Sequence, residues 1–147
     1  KGPTRHTASL LLNNQGTDTG QSTQPANLKK ALFSNCIVYG NRTNEIDFDF
    51  APGTDPVYFF NHCLLRKSQN RESFEGHSEK LLFNQDPLFK DPGEYDFRLD
   101  TLSPAINQGD TTTANNWPVD LLNNSRISDQ GPDIGAFEFI PDPETKG

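Results

Sequence analysis

The feature that most narrows the fold of this chain is a short strand-like segment that recurs. Phe33-Ser34-Asn35-Cys36-Ile37-Val38-Tyr39-Gly40-Asn41 is an apolar run with β-branched and aromatic residues, closed by Gly and Asn. That is the pattern of a buried strand followed by a turn. Residues 60–65 read Phe-Asn-His-Cys-Leu-Leu, and Phe33/Phe60, Cys36/Cys63, Ile37/Leu64 and Val38/Leu65 share one offset of 27 residues (63 − 36). The same step backwards sets Leu10 and Leu11 under Ile37 and Val38, and Asn14 under Asn41. Three copies of one strand at a fixed period predict a stacked-coil architecture of parallel strands.

The stretch between the copies completes one layer. In Asn44-Glu45-Ile46-Asp47-Phe48-Asp49-Phe50 the acids Glu45, Asp47 and Asp49 alternate with Ile46, Phe48 and Phe50, which predicts a strand with one buried and one solvated face. Pro52-Gly53-Thr54-Asp55-Pro56 then turns the chain back into the next copy. A layer therefore reads as strands over 33–39, 45–50 and 57–65 joined by short corners. Hairpin signals are nearly absent, so a β-helix or solenoid fits better than an antiparallel sandwich. Residues 66–80 carry no hydrophobic period and predict a long loop protruding from a corner, after which Leu81-Leu82-Phe83-Asn84 is a short strand. On this register Cys36 and Cys63 stand on neighbouring parallel strands about 4.8 Å apart. Two reduced thiols in an interior ladder and a disulfide are both open readings, although parallel side-chain vectors suit a bridge poorly.

Charge and composition exclude several classes of partner. The formal net charge is −7, with 13 Lys+Arg against 20 Asp+Glu in 147 residues. A nucleic-acid binder carries a basic footprint, and an anionic membrane surface asks for the same. Apolar residues make up only 32% of the chain, with many Asn, Asp, Thr, Gly and Pro, as expected for short strands and many turns. No apolar run reaches transmembrane length. The chain begins at Lys1 and contains no Met, which reads as a processed chain or a piece of a longer one.

One series of motifs is specific by its order. Asp86-Pro87-Leu88-Phe89, Asp96-Phe97-Arg98-Leu99, Ser103-Pro104-Ala105-Ile106-Asn107-Gln108-Gly109, Asp120, Arg126 and Asp133-Ile134-Gly135-Ala136-Phe137-Glu138 follow one another. The series resembles the C-terminal end of bacterial right-handed parallel β-helix surface proteins, and its last part is similar to a choice-of-anchor Q domain. The strand copies before it resemble the preceding rungs, so the resemblance spans roughly residues 31–139. It implies an all-β, pectate-lyase-like fold: parallel β-helix rungs over 1–83, a terminal rung and loop-rich C-terminal cap over 84–139, and a tail or linker over 140–147. It further implies a secreted, periplasmic or outer cell-surface location, often tied to polysaccharide use. No reaction follows from it, because fold and function separate easily.

Candidate functional residues fall into four groups. Arg126 lies between Asp120 and Asp133–Glu138, where a guanidinium can bind a carboxylate and pin the terminal flap, or else bind substrate. Arg66, Lys67 and Arg71, with His77 and Lys80, form a basic cluster suited to neutralising a uronate carboxylate during elimination. Interleaved Glu72, Glu75 and Glu79 equally allow a salt-bridged surface loop. Glu45, Asp47 and Asp49 offer oxygen ligands for Ca²⁺, but alternate residues of one strand are about 6.6–7 Å apart, so a plain solvated face competes. Trp117-Pro118 suits either a sugar-stacking platform or a packing anchor. No nucleophile triad, P-loop, dinucleotide turn or paired-His motif is present, and His6, His62 and His77 are scattered, with His6 and His62 on strand copies.

The function these residues predict is a non-catalytic C-terminal portion of a surface protein, a structural cap and scaffold with carbohydrate contact. Its partners would be upstream rungs of the same protein or another chain, and polysaccharide. The alternatives are part of a polysaccharide lyase or glycosidase whose catalytic rungs lie upstream, and a self-sufficient carbohydrate-binding or adhesion module.

Overall fold

The computed structural model describes residues 7–15 and 27–141. Ten short strands carry the architecture: β1 (Leu10–Asn13), β2 (Ala31–Ser34), β3 (Ile37–Val38), β4 (Ile46–Asp49), β5 (Tyr58–Asn61), β6 (Leu64–Leu65), β7 (Ser78–Glu79), β8 (Leu82–Phe83), β9 (Phe89–Asp91) and β10 (Asp96–Leu99). One six-residue helix, α1 (Thr111–Asn116), follows.

The strands form two three-stranded parallel sheets, β2-β5-β7 and β3-β6-β8, a parallel pair β1-β4 and an antiparallel pair β9-β10. The 27-residue offset is realised in the first two layers. Phe33 pairs with Phe60, Ile37 with Leu64 and Val38 with Leu65, and the Phe33 and Phe60 rings stack at 4.6 Å. The next layer arrives after a shorter excursion: Leu82 pairs with Leu64, an offset of 18 residues (82 − 64). The bend between the two sheets repeats with the layers. Asn35, His62 and Lys80 each take the left-handed conformation, at φ 52°, 48° and 48°, and the backbone bonds Asn35 N–H to Asn61 O and His62 N–H to Glu79 O run between layers. Asn and His are enriched in this conformation, whereas Lys takes it only where the surrounding structure imposes it.

This architecture corrects the expectation of a right-handed parallel β-helix with an end cap. The sheets hold two or three strands, parallel and antiparallel together, and none closes or continues as a solenoid. The supposed first copy does not lie beneath the second: Leu10 pairs with Ile46, an offset of 36 residues (46 − 10), so β1 lies beside β4 and not under β3. The layers are separated by excursions of unequal length, so no single period runs through the chain.

Residues 84–139 also serve differently from a lid over an open end. In β3-β6-β8 successive side chains point to opposite faces. Val38, Leu65 and Phe83 turn towards the first core, with buried Leu12, Ile46, Tyr58, Phe60, Cys63 and Phe74. Ile37, Leu64 and Leu82 turn the other way and are covered from the side by Leu99, Ala105 and Ile134. The terminal segment thus makes a second core against a sheet face. Its two arms are joined by Ile134 N–H to Ala105 O (3.0 Å) and Gly109 N–H to Pro132 O (2.7 Å). Gly109 permits that approach, since a Cβ there would stand 2.8 Å from the Pro132 carbonyl oxygen.

The segment 66–80 is not a protruding loop either. A 3-10 turn at Arg71–Phe74 drives Phe74 into the first core, edge-on to Phe48, Phe60 and Phe83 at ring distances of 5.2–5.4 Å. A lone aromatic in a polar stretch makes no period, but burying its ring is worth about 1.5–3 kcal/mol.

Candidate functional site

The basic cluster is divided: Lys67 is buried, Arg66 half-buried, and Arg71 and Lys80 are exposed. The Arg66 guanidinium donates to the Arg42 carbonyl (2.9 Å) and the Tyr39 hydroxyl oxygen (2.6 Å), and its carbon lies 5.0 Å from the Tyr39 ring centre. Lys67 is only 2% exposed. Its ammonium donates to the Ile46 carbonyl (2.7 Å) and to Asp47 (3.3 Å), because a charge taken out of water must find such partners. Arg71 donates to the Lys67 carbonyl (2.8 Å) and covers the Phe83 ring at 4.5 Å. These three cations brace the turn after β6. His77 stacks on Tyr58 at 4.3 Å, and His62 is buried in the bend between β5 and β6. His6 lies outside the described residues.

The acidic row does not act as a unit. Glu45 is fully buried and accepts from Ser9 N–H and Oγ–H (3.2 and 2.8 Å) and from Arg42 N–H (3.0 Å), joining the β1 and β4 segments. It is therefore no part of a solvated face. Asp47 pairs with Lys67, and Asp49 accepts from Gln15 (3.0 Å). Among the described residues no group of three or more His, Cys, Asp or Glu is placed to hold a metal ion.

Asp120, Arg126, Asp133 and Glu138 are brought together. The Arg126 guanidinium donates to Glu138 (2.6 Å) and to the Gly135 carbonyl (3.1 Å). Asp120 accepts from the backbone N–H groups of Leu122, Asn124 and Glu138, at 2.7–2.8 Å. Asp133 accepts from Asn107 N–H (2.7 Å) and Phe139 N–H (2.5 Å). The four residues fasten the arms of the terminal segment to each other, and the arginine fork spans a carboxylate and a carbonyl instead of one carboxylate. Burial, reinforced by the neighbouring Asp133 charge, pushes the Glu138 carboxyl up to about 7 against the opposing pull of Arg126. Burial also raises Asp133. At Asp120 burial acts upward but is outweighed by the hydrogen bonds it accepts, led by Glu138 N–H, and the net shift is downward.

A cleft of about 560 Å³ lies between β2 and helix α1, lined by Leu32, Ser34, Cys36, Thr113, Asn116 and Trp117 among others. Trp117 is 67% exposed, so it is not a packing anchor. Its position is set by a chain of contacts beginning at the β2–β3 bend. Asn35 accepts from Asp110 N–H (2.6 Å) and donates to the Asp110 carbonyl (3.2 Å). Asp110 caps α1 by accepting from Thr113 N–H (2.7 Å) and Oγ–H (2.6 Å). Trp117 ends the helix with its N–H on the Thr113 carbonyl (3.1 Å). Gly135 N–H on the Asn35 carbonyl (2.9 Å) ties the terminal segment to the same bend, and a second cleft of about 630 Å³, with Phe89, Phe97 and Leu121, continues beyond it. The polar groups Ser34, Thr113 and Asn116 beside Trp117 carried no sequence signal of a site.

No helix among the described residues is long and apolar enough to cross a membrane. Compared with known proteins, the chain matches no family model, no curated protein and no solved structure.

Proposed function

We propose that this chain is a non-catalytic scaffold module that contacts carbohydrate through the Trp117 cleft. One observation carries the reading: the only tryptophan of the chain stands exposed beside a cleft bordered by hydroxyl and amide side chains. Sugar rings offer apolar C–H faces and hydroxyl edges, which an indole face and neighbouring Ser, Thr and Asn groups complement. The internal use of Arg66 and Lys67 favours a binding role over uronate elimination at the basic cluster. The resemblance of the terminal motif series to secreted surface proteins supports a place outside the cell. The test is calorimetric titration of the protein with a panel of neutral and acidic polysaccharides. Saturable binding to at least one, abolished in Trp117→Ala with the unfolding midpoint unchanged, is expected. Binding retained in Trp117→Ala, or absent across the panel, refutes the reading.

A further inference from the structure

Among the described residues, the two cysteines are the nucleophilic groups that the reading above leaves unused. Both are free thiols. They occupy equivalent places in adjoining layers, bracketed by the registered pairs Phe33–Phe60 and Ile37–Leu64, with the Cys36 thiol towards the Ser34 carbonyl. Their surroundings differ sharply. Cys63 is fully buried, with its thiol towards the Phe33 and Asn61 carbonyls. Cys36 belongs to the outermost layer of its sheet, is partly exposed and lines both clefts.

We infer that Cys36 and Cys63 form a dithiol modification site for small disulfides, with Cys36 the entry sulfur and Cys63 the resolving one. The Cys36 thiolate attacks one sulfur of R–S–S–R, a Cys36–S–S–R bond forms, and RS⁻ leaves. Cys63 gives up its proton, which the departing thiolate takes, and attacks the Cys36 sulfur. The intramolecular disulfide closes and the second RS⁻ departs, to be protonated by solvent. Overall two protein thiols are oxidised and one small disulfide is reduced to two thiols, the ordinary course of exchange. The sheet spacing of about 4.8 Å lies within the Cα range that a disulfide spans. The order of attack follows from access and ionisation together. The neighbouring Cys63 thiol lowers the Cys36 thiol to about 7, while the Cys36 neighbour and burial push Cys63 up. Thiolate is the attacking form, so an accessible sulfur titrating near neutrality reacts first.

The test uses the intact, reduced chain with oxidised glutathione, read by intact mass and peptide mapping. Wild type should lose its two thiol hydrogens and carry no adduct. Cys63→Ser should stop at one glutathione adduct on Cys36, and Cys36→Ser should stay unmodified under native conditions. Should Cys63→Ser fail to fold, alkylation of wild type with limiting iodoacetamide gives the same ordering. Cys36 should be labelled ahead of Cys63, with a rate that rises through about pH 7. Equal labelling of both sulfurs, a pH midpoint near the free-thiol value of about 8.5, or a stable mixed disulfide in wild type would overturn the inference.

Discussion

Leu64→Ala, set beside Leu65→Ala, gives the sharpest test of how the terminal segment is held. Both leucines are fully buried and adjacent in β6, but they face different cores. Truncation removes three carbons from a closed site. At about 0.8 kcal/mol per methylene the transfer loss is about 2.4 kcal/mol, and the cavity left behind brings the total to about 3 kcal/mol, within the usual range of about 2–5 for Leu→Ala. For a domain of this size that lowers the thermal midpoint by roughly 6–12 °C. The magnitudes should be similar and the consequences different. Leu64 supports Leu99, Ala105 and Ile134, so its loss should speed amide exchange at Gly109, Ile134 and Gly135, whose N–H groups bond to Pro132, Ala105 and Asn35. Leu65→Ala should speed exchange in β4 and β5 instead. Denaturant unfolding with peptide-resolved hydrogen exchange reads both quantities. If Leu64→Ala leaves exchange over 105–109 and 132–139 untouched, the side-on docking of the terminal segment is wrong.

Two further predictions concern buried charges. The carboxyl of Glu138 sits higher in the folded protein, at about 7, than its unfolded value of 4.5, so its contribution to stability is fully present below about pH 4.5 and is lost as pH rises through about 7. The span amounts to about 3 kcal/mol at most, is measurable by urea unfolding across that window, and should flatten in Glu138→Gln; a slope unchanged in that variant contradicts the assignment. Lys67→Ala orphans the Ile46 carbonyl and should destabilise by about 2–3 kcal/mol while polysaccharide affinity stays at the wild-type level. A lost affinity with unchanged stability would return the basic cluster to the binding site.

Parts of this arrangement were legible in the sequence because they rest on local pattern. Phe33/Phe60 and Ile37/Leu64 align in two segments of the same spacing, and the alternation of Ile46, Phe48 and Phe50 with acids marks a strand facing a core. Arg126 near Glu138 was readable as a charge that needs a partner. The remainder depends on which surfaces meet. Leu10-Leu11-Leu12 suits any neighbouring strand, and its choice of β4 over β3 is made partly by Glu45 reaching Ser9, a contact that no period encodes. Phe74 and Lys67 are buried from within a polar stretch, where composition argues for solvent. The alternation of Leu64 and Leu65 between two cores looks, in sequence, like a single apolar run. Trp117 acquires meaning only through Asn35 and Asp110, which lie 75 residues apart in the chain.

The central claim, that the Trp117 cleft receives carbohydrate, is tested most directly by the fluorescence of that residue. It is the only tryptophan of the chain, so its emission reports the cleft without interference from another indole. Titration with the polysaccharide panel should shift its emission to shorter wavelength in a saturable manner, as an indole face leaves water for a sugar ring. Emission that stays at the position of a solvent-exposed indole through saturating concentrations of every member, neutral and acidic, would contradict the claim.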